Sequence, residues 1–362
     1  MALAGLHCGF RAWINRPSLR EDRALNFVHP QISIMAAGFA PEESPARYGG
    51  ATMITILTST ENGLQTLPDF SPGCWVNMVD PDPDELARVS EGLKIPSELL
   101  TPALDLDESP RSETDNGFLL IVMRVPLFEG EESSTPYTTV PLGIVLGEQH
   151  VVTVTKQDNG TIRDLLEGRV RNLNTARKNS FFLLVFLTAA KRFLSHLREI
   201  DRKVEEVEDR LEVALHNKEV LELLKYQKCL TFFTTALKAD ELMIKHLERS
   251  HNSHLAPEES EALDDALTEF GQAITMTDIS SGILTQMMDA FASIISNNLN
   301  VVMKFLASVT IILALPTLVA SIYGMNILLP FQSHPMAFLL TMGGSLVISV
   351  IVILVFRRRG WL

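Results

Sequence analysis

Asn300, Met303, Ala307, Thr310, Ala314, Thr317, Ser321 and Gly324 follow one another at alternating steps of three and four, so they share one face of a helix. The remaining faces carry Ile, Leu, Val and Phe. A small, polar face in apolar surroundings has two readings. Small residues let membrane helices approach closely. Alternatively, several copies of the chain around an axis use that face as the wall of a pore, because a single hairpin cannot enclose a channel. The stripe ends in Tyr323-Gly324-Met325-Asn326.

Other residues with chemical potential are more weakly placed. His251 and His254 lie in a polar turn without a third ligand nearby in sequence, which reads as solvent exposure before metal binding. His334 follows the stripe and, repeated in a ring, would favour softer ions. Cys8, Cys74 and Cys229 form no ligand spacing and read as structural thiols in a reducing compartment. There is no Walker A lysine motif, no dinucleotide glycine fingerprint and no Gly-x-Ser-x-Gly elbow, so no enzyme is expected.

The stripe needs a membrane around it, and the sequence supplies one. From Phe305 to Phe356 there is no Asp, Glu, Lys or Arg. Phe305–Tyr323 and Met336–Phe356 are each long enough for a helix of about 28–32 Å, the thickness of a bilayer core. Gly324–Pro335 between them is too short for a domain, so the spans form a hairpin with both ends on one side. Arg357, Arg358 and Arg359 place that side in the cytoplasm. The expectation is a multi-pass plasma-membrane protein, in contact with lipid, with both termini cytoplasmic.

Net charge is −13, and without those three arginines the rest carries 28 basic against 44 acidic residues. Such a surface attracts cations and argues against nucleic acid as a partner. Residues 1–52 admit three readings: a disordered tail, an over-extended start with initiation at Met35 or Met53, or a weak transit peptide. Their first 20 residues lack the unbroken apolar core of a secretory signal.

Residues 53–160 read as a small α/β domain. Strands are expected at Met53–Leu57, Cys74–Val79, Phe118–Leu127, Thr138–Leu146 and His150–Thr155, and helical spacing at Asp84–Gly92 and Pro96–Leu104. Residues 161–256 form a helical part. Phe181–Ser250 has no Gly or Pro, and Leu197, Ile200, Val204, Val207, Leu211 and Ala214 mark a coiled-coil seam. Pro257 is placed to start a helix running to Tyr323, which would carry movement of the cytoplasmic part into the first span. Residues 324–335 then form the outer loop, 336–356 the second span and 357–362 a basic tail.

The Gly-Met-Asn at 324–326, preceded by a Tyr at the end of the penultimate span and followed by a second span and a basic tail, resembles the signature of the CorA family of divalent-cation transporters. Gly73-Cys74-Trp75-Val76-Asn77 and Pro136-Tyr137-Thr138-Thr139-Val140 are similar to family patterns, so the likeness covers about Met53 to Leu362. It implies an α+β cytoplasmic domain in α/β/α layers, long coiled-coil stalk helices, two C-terminal transmembrane helices and a homopentamer. It also implies a filter of Gly324, Met325 and Asn326, a polar ring of Asn300, a hydrophobic constriction including Leu306, and Thr317 as a lining oxygen. Met303, Thr310, Ala314 and Ser321 complete the expected lining. Magnesium gives up water reluctantly, so a fast filter should accept the hydrated ion, and amide and carbonyl oxygens suit its water shell. Glycine would permit the turn and the close approach.

The resemblance further implies that Mg2+ is both cargo and regulator, sensed by carboxylates at subunit interfaces, with Asp265 and Asp289 at matching places. Carboxylates pressed together repel unless a cation bridges them. Two departures stand out. Ile327–Pro335 has no acidic residue, leaving Asn326, Gln332 and carbonyls to capture cations, and the residues around Pro102 lack an acidic pair, with Asp105, Asp107 and Glu108 nearby instead. Transport of cobalt, nickel or zinc by the same fold is the nearer alternative, and Met325 favours magnesium by resemblance. A membrane-anchored, non-conducting coiled-coil scaffold is the distant one.

Overall fold

The computed structural model describes residues 54–60, 63–213, 217–251, 256–326 and 335–361. Seven strands come first: β1 (Ile54–Thr60), β2 (Gly63–Thr66), β3 (Trp75–Val79), β4 (Arg111–Asp115), β5 (Phe118–Phe128), β6 (Tyr137–Leu146) and β7 (Val151–Thr155). They form one sheet in the order β2-β1-β3-β7-β6-β5-β4. Only the β3–β7 pairing is parallel. The long β5–β6 hairpin keeps register from Leu119 opposite Leu146 to Phe128 opposite Tyr137.

Helices cover both faces, and the alternation of strand side chains explains why. Val76 and Met78 on β3 and Leu120 and Val122 on β5 join Val89 and Leu93 of helix α1 (Pro83–Leu93) on one side. Trp75, Ile121, Met123 and Val125 join Phe181 and Phe186 on the other. The result is the expected three-layer α/β/α arrangement. Trp75 anchors it: its ring packs edge-on against Phe181 at 5.0 Å, and its indole N–H donates to Thr153 Oγ1, which donates to Asn77 Oδ1.

Two features differ from the sequence expectation. Pro96–Leu104 is not one helix but two single 3-10 turns, Ser97–Leu99 and Pro102–Leu104. Burial of Leu99, Leu100 and Ala103 generates the helical spacing, yet Pro102 has no N–H to donate to the turn before it and its ring crowds that turn, which stops the helix. Strands β2 and β4 are polar edge strands without a hydrophobic signal. The expected helical part opens with a short separate helix, α2 (Gly160–Leu166), capped by Asn159 accepting from the Ile162 N–H.

The helical part consists of α3 (Lys178–Val213), α4 (Asn217–His251) and α5 (Pro257–Tyr323). The seam Leu197, Ile200, Val204, Val207 and Leu211 is buried, while Ala214 lies outside the described residues. Helix α5 packs against both α3 and α4. Its buried positions are Leu263, Ala266, Phe270, Ala273, Thr277, Ser280, Leu284 and Phe291, a three-four alternation unmarked in sequence because Ala, Thr and Ser occupy half of it. With 67 residues, α5 extends about 100 Å. Helix α6 (Ala337–Arg359) packs back along its end.

Among the described residues three helices are long and apolar enough to cross a bilayer: α3, α5 and α6. The apolar stretch of α3 is mostly buried within this fold, whereas those of α5 and α6 are almost wholly exposed. Helix α3 is therefore a core helix and the latter two are the membrane segments.

Candidate functional site

The terminal parts of α5 and α6 pack through small residues. Ser308 on α5 and Ser345 and Ser349 on α6 are the buried positions there. Each hydroxyl donates back to its own helix, Ser308 to the Lys304 carbonyl, Ser345 to Met342 and Ser349 to Ser345. Ile312, Leu315, Pro316 and Val319 are half-buried on the same side of α5.

Asn300, Met303, Ala307, Thr310, Ala314, Thr317 and Ser321 are all exposed. When the buried alternation of α5 is continued along the helix, Ser308 falls in phase with it, and the stripe falls two and five residues after it, roughly 150° round the helix. The small polar face is therefore opposite the face that α6 covers. Packing within the hairpin does not account for it. Leu306, 54% exposed, sits at the flank of the stripe.

The hydroxyls on this face are already oriented. Thr310 donates to the Leu306 carbonyl at 2.8 Å and Thr317 to the Leu313 carbonyl at 2.9 Å. With the proton directed into the helix, the lone pairs are left to accept from outside. Thr310, Ala314, Thr317 and Ser321 line a shallow concavity on this side. Such a surface offers oxygen acceptors to the water shell of a cation and no positive charge.

At the end of α5, Gly324 has φ −82° and ψ −3°, and its N–H donates to Ala320 O at 3.0 Å, while Met325 N–H donates to Ile322 O. This backbone is ordinary helical territory. The turn at 324 does not require glycine, contrary to expectation, so any demand for it rests on close approach of something else. Gly324, Met325 and Asn326 are exposed. Residues 327–334, including Gln332 and His334, lie outside the described residues, as does His254; the side chain of His251 does too.

Asp265 and Asp289 are exposed and about 36 Å apart along α5, so one chain does not bring them together. Among the described residues no three His, Cys, Asp or Glu side chains form a metal cage. Both fall, however, on the side opposite the buried seam, two residues after Leu263 and five after Leu284. The stripe occupies the same side further along.

Sequence reading missed the polar connections beneath these elements. Asp164 on α2 and Arg192 on α3 form a buried two-pronged ion pair, with Arg169 also on Asp164. Arg124 on β5 donates its guanidinium to the carbonyls of Leu106, Glu108 and Thr139, tying down the loop that holds Asp105, Asp107 and Glu108. Glu108 is itself paired with Arg111. The Arg124 backbone N–H donates to Asp240 Oδ1 at 2.9 Å, whereas Oδ2 of this fully buried carboxyl is left without a hydrogen-bond partner.

Burial drives the Asp240 pKa well above the usual carboxylate range, against the N–H bond and charge of Arg124. The folded chain thus holds a proton that the unfolded chain releases. This contribution to stability is fully present below the ordinary Asp pKa and is lost as pH rises through the folded value. Asp240→Asn is expected to flatten that decline, raising the midpoint of thermal unfolding at neutral and alkaline pH relative to wild type. A melting series over pH checks it; parallel wild-type and variant curves would show that Asp240 does not titrate in this range.

Residues 72–358 match the family described as CorA-like Mg2+ transporter protein. The chain is 32% identical over 323 residues to the cobalt/magnesium transport protein CorA of Methanocaldococcus jannaschii, covering 86% of this chain and all of that one. It is 23% identical over 304 residues to the Thermotoga maritima protein of the same name, covering 81% of this chain and 85% of that one. The complete structure of the Methanocaldococcus jannaschii CorA magnesium transporter superposes with a TM-score of 0.75 at 27% identity, covering 86% of this chain and 99% of that one. The α/β/α domain, the long helices, the exposed apolar hairpin and these likenesses agree, and the chain belongs to the CorA-like family of Mg2+ transporter proteins, which are membrane transporters of divalent cations and not enzymes.

Proposed function

We propose that the chain forms a homopentameric plasma-membrane channel for Mg2+, with both termini in the cytoplasm and conduction gated by cytoplasmic Mg2+. The observation that carries this reading is the position of the polar stripe, exposed and opposite the face of α5 that α6 covers. Five copies arranged with that face inward line a pathway with Thr310 and Thr317 oxygens, Ala314 and Ser321, above Asn300, Met303 and the Leu306 constriction. Gly324, Met325 and Asn326 close its outer end as the filter for hydrated Mg2+. The relatives' names pair cobalt with magnesium, so Co2+ is a second cargo and Ni2+ or Zn2+ the competitors to compare. Inward movement of a divalent ion gains about 4.6 kcal/mol per 100 mV of membrane potential, so no coupled hydrolysis is needed.

Gating follows from the same face. Asp265 and Asp289 point away from their own subunit's core, and in a pentamer they meet neighbouring subunits, where Mg2+ offsets carboxylate repulsion and holds the bundle closed. Asp265→Ala combined with Asp289→Ala is expected to raise the internal Mg2+ concentration needed for half-closure by about tenfold, a coupling change of about 1.4 kcal/mol. Flux from vesicles loaded with graded Mg2+ measures it, and unchanged inhibition removes both residues from sensing. The function itself is tested by Mg2+ influx into proteoliposomes with Co2+, Ni2+ and Zn2+ as competitors. Absence of flux for every metal by intact oligomers, under conditions that open the gate, would favour the scaffold reading.

A further inference from the structure

The end of α6 carries a cationic surface outside the polar stripe and the Gly324–Asn326 signature. From Ala290 to Leu362 there is no Asp or Glu, while Lys304, Arg357, Arg358 and Arg359 supply positive charge. Lys304 is 19 residues before the end of α5 and Arg357 is 20 residues after the start of α6, each about 30 Å along its helix, so all four reach the same membrane boundary.

The terminus has a defined shape. Gly360, at φ +69°, caps α6 in the left-handed region, and the N–H groups of Gly360 and Trp361 donate back to Arg357 and Phe356. This turn lays Trp361 against Phe356, ring centroids 5.3 Å apart and 19° from parallel. The face of α6 that meets α5 passes through Ser345, Ser349 and Phe356, whereas Arg357 and Arg358 stand roughly 100° and 200° round from Phe356.

From this arrangement we propose that Arg357, Arg358 and Trp361, with Lys304 nearby, bind the headgroup of an anionic phospholipid of the cytoplasmic leaflet. The inference rests on the channel reading, because a stripe facing the axis puts α6, on the opposite side of α5, at the periphery in lipid. There the outward side chains of α6, such as Val347 at 58% and Leu354 at 56% exposure, meet acyl chains. Two guanidinium forks with no Asp or Glu side chain on the hairpin suit a phosphodiester, and an indole folded to the boundary sits at headgroup depth. A free anion would share the phosphate chemistry but gain nothing from Trp361 or from the adjoining apolar face.

The test is native mass spectrometry of the purified full-length oligomer with phosphatidylglycerol or phosphatidylcholine added. Wild type is expected to bind phosphatidylglycerol about tenfold more tightly. Arg357→Gln with Arg358→Gln should abolish the preference without changing oligomer mass, the Lys pair should retain part of it, and Trp361→Ala should weaken it. An unchanged preference in the Gln pair, in oligomers of wild-type mass, overturns the proposal and leaves these arginines only a role in orientation. Displacement of the lipid by millimolar inorganic phosphate overturns it in favour of a free-anion site. Mg2+ flux measured in the same preparations separates the two readings. Flux with no lipid preference rejects the lipid site alone, and a preference without flux in any lipid rejects the channel.

Discussion

Replacing Asn326 by alanine is expected to cut Mg2+ flux through proteoliposomes by at least about tenfold while leaving oligomer size and thermal stability unchanged. The side chain is exposed at the end of α5, so among the described residues its loss leaves no buried gap. In the proposed filter its amide oxygen accepts from the water shell of the cation, and a hydrogen bond of this kind contributes about 0.5–1.5 kcal/mol. In the proposed ring the substitution would remove the acceptor from every subunit at once, so selectivity against Co2+ and Ni2+ should change together with the rate. Unchanged flux and unchanged competition would remove Asn326 from the filter. The same measurement weighs against the scaffold reading, under which this position is indifferent.

Arg192→Met is expected to destabilise the α/β/α domain by about 3–5 kcal/mol, because it leaves Asp164 buried and unmatched by its two-pronged partner. Arg169, 42% exposed, reaches only one Asp164 oxygen from the surface and does not replace it. The paired substitution Arg192→Met with Asp164→Leu should recover most of the loss, since removing both charges removes the desolvation penalty as well. Thermal unfolding of the full-length protein followed by the fluorescence of buried Trp75 reads both variants. Equal losses in the single and double variants would mean that packing of the Arg192 stem, and not its charge, holds α2 on α3.

What the sequence determined about this chain was set by local periodicity and by the bilayer. The charge-free stretch, the three terminal arginines and the three-four stripe are one-dimensional patterns, and a helix converts each into a face or a length without further information. The long helix from Pro257 to Tyr323 was legible for the same reason, as were the five strands with β-branched or aromatic side chains. Strands β2 and β4 were not, because an edge strand is held by a neighbour's hydrogen bonds and can be built from GLQT or RSETD. The reading of Pro96–Leu104 erred because burial there imitates a helix while proline blocks one.

The tertiary structure alone decided which face is which. The seam of α5 is written in Ala, Thr and Ser as much as in Leu and Phe, so its orientation is settled by the surface of α3, α4 and α6 packed against it. Once it is known, the polar stripe and the two stalk carboxylates fall on the free side. The buried pairs also came from the structure only, since Asp164 and Arg192, or Arg124 and Asp240, are joined across 28 and 116 residues. Nothing local distinguishes them from solvated charges; burial does, by removing the water that would otherwise satisfy each group.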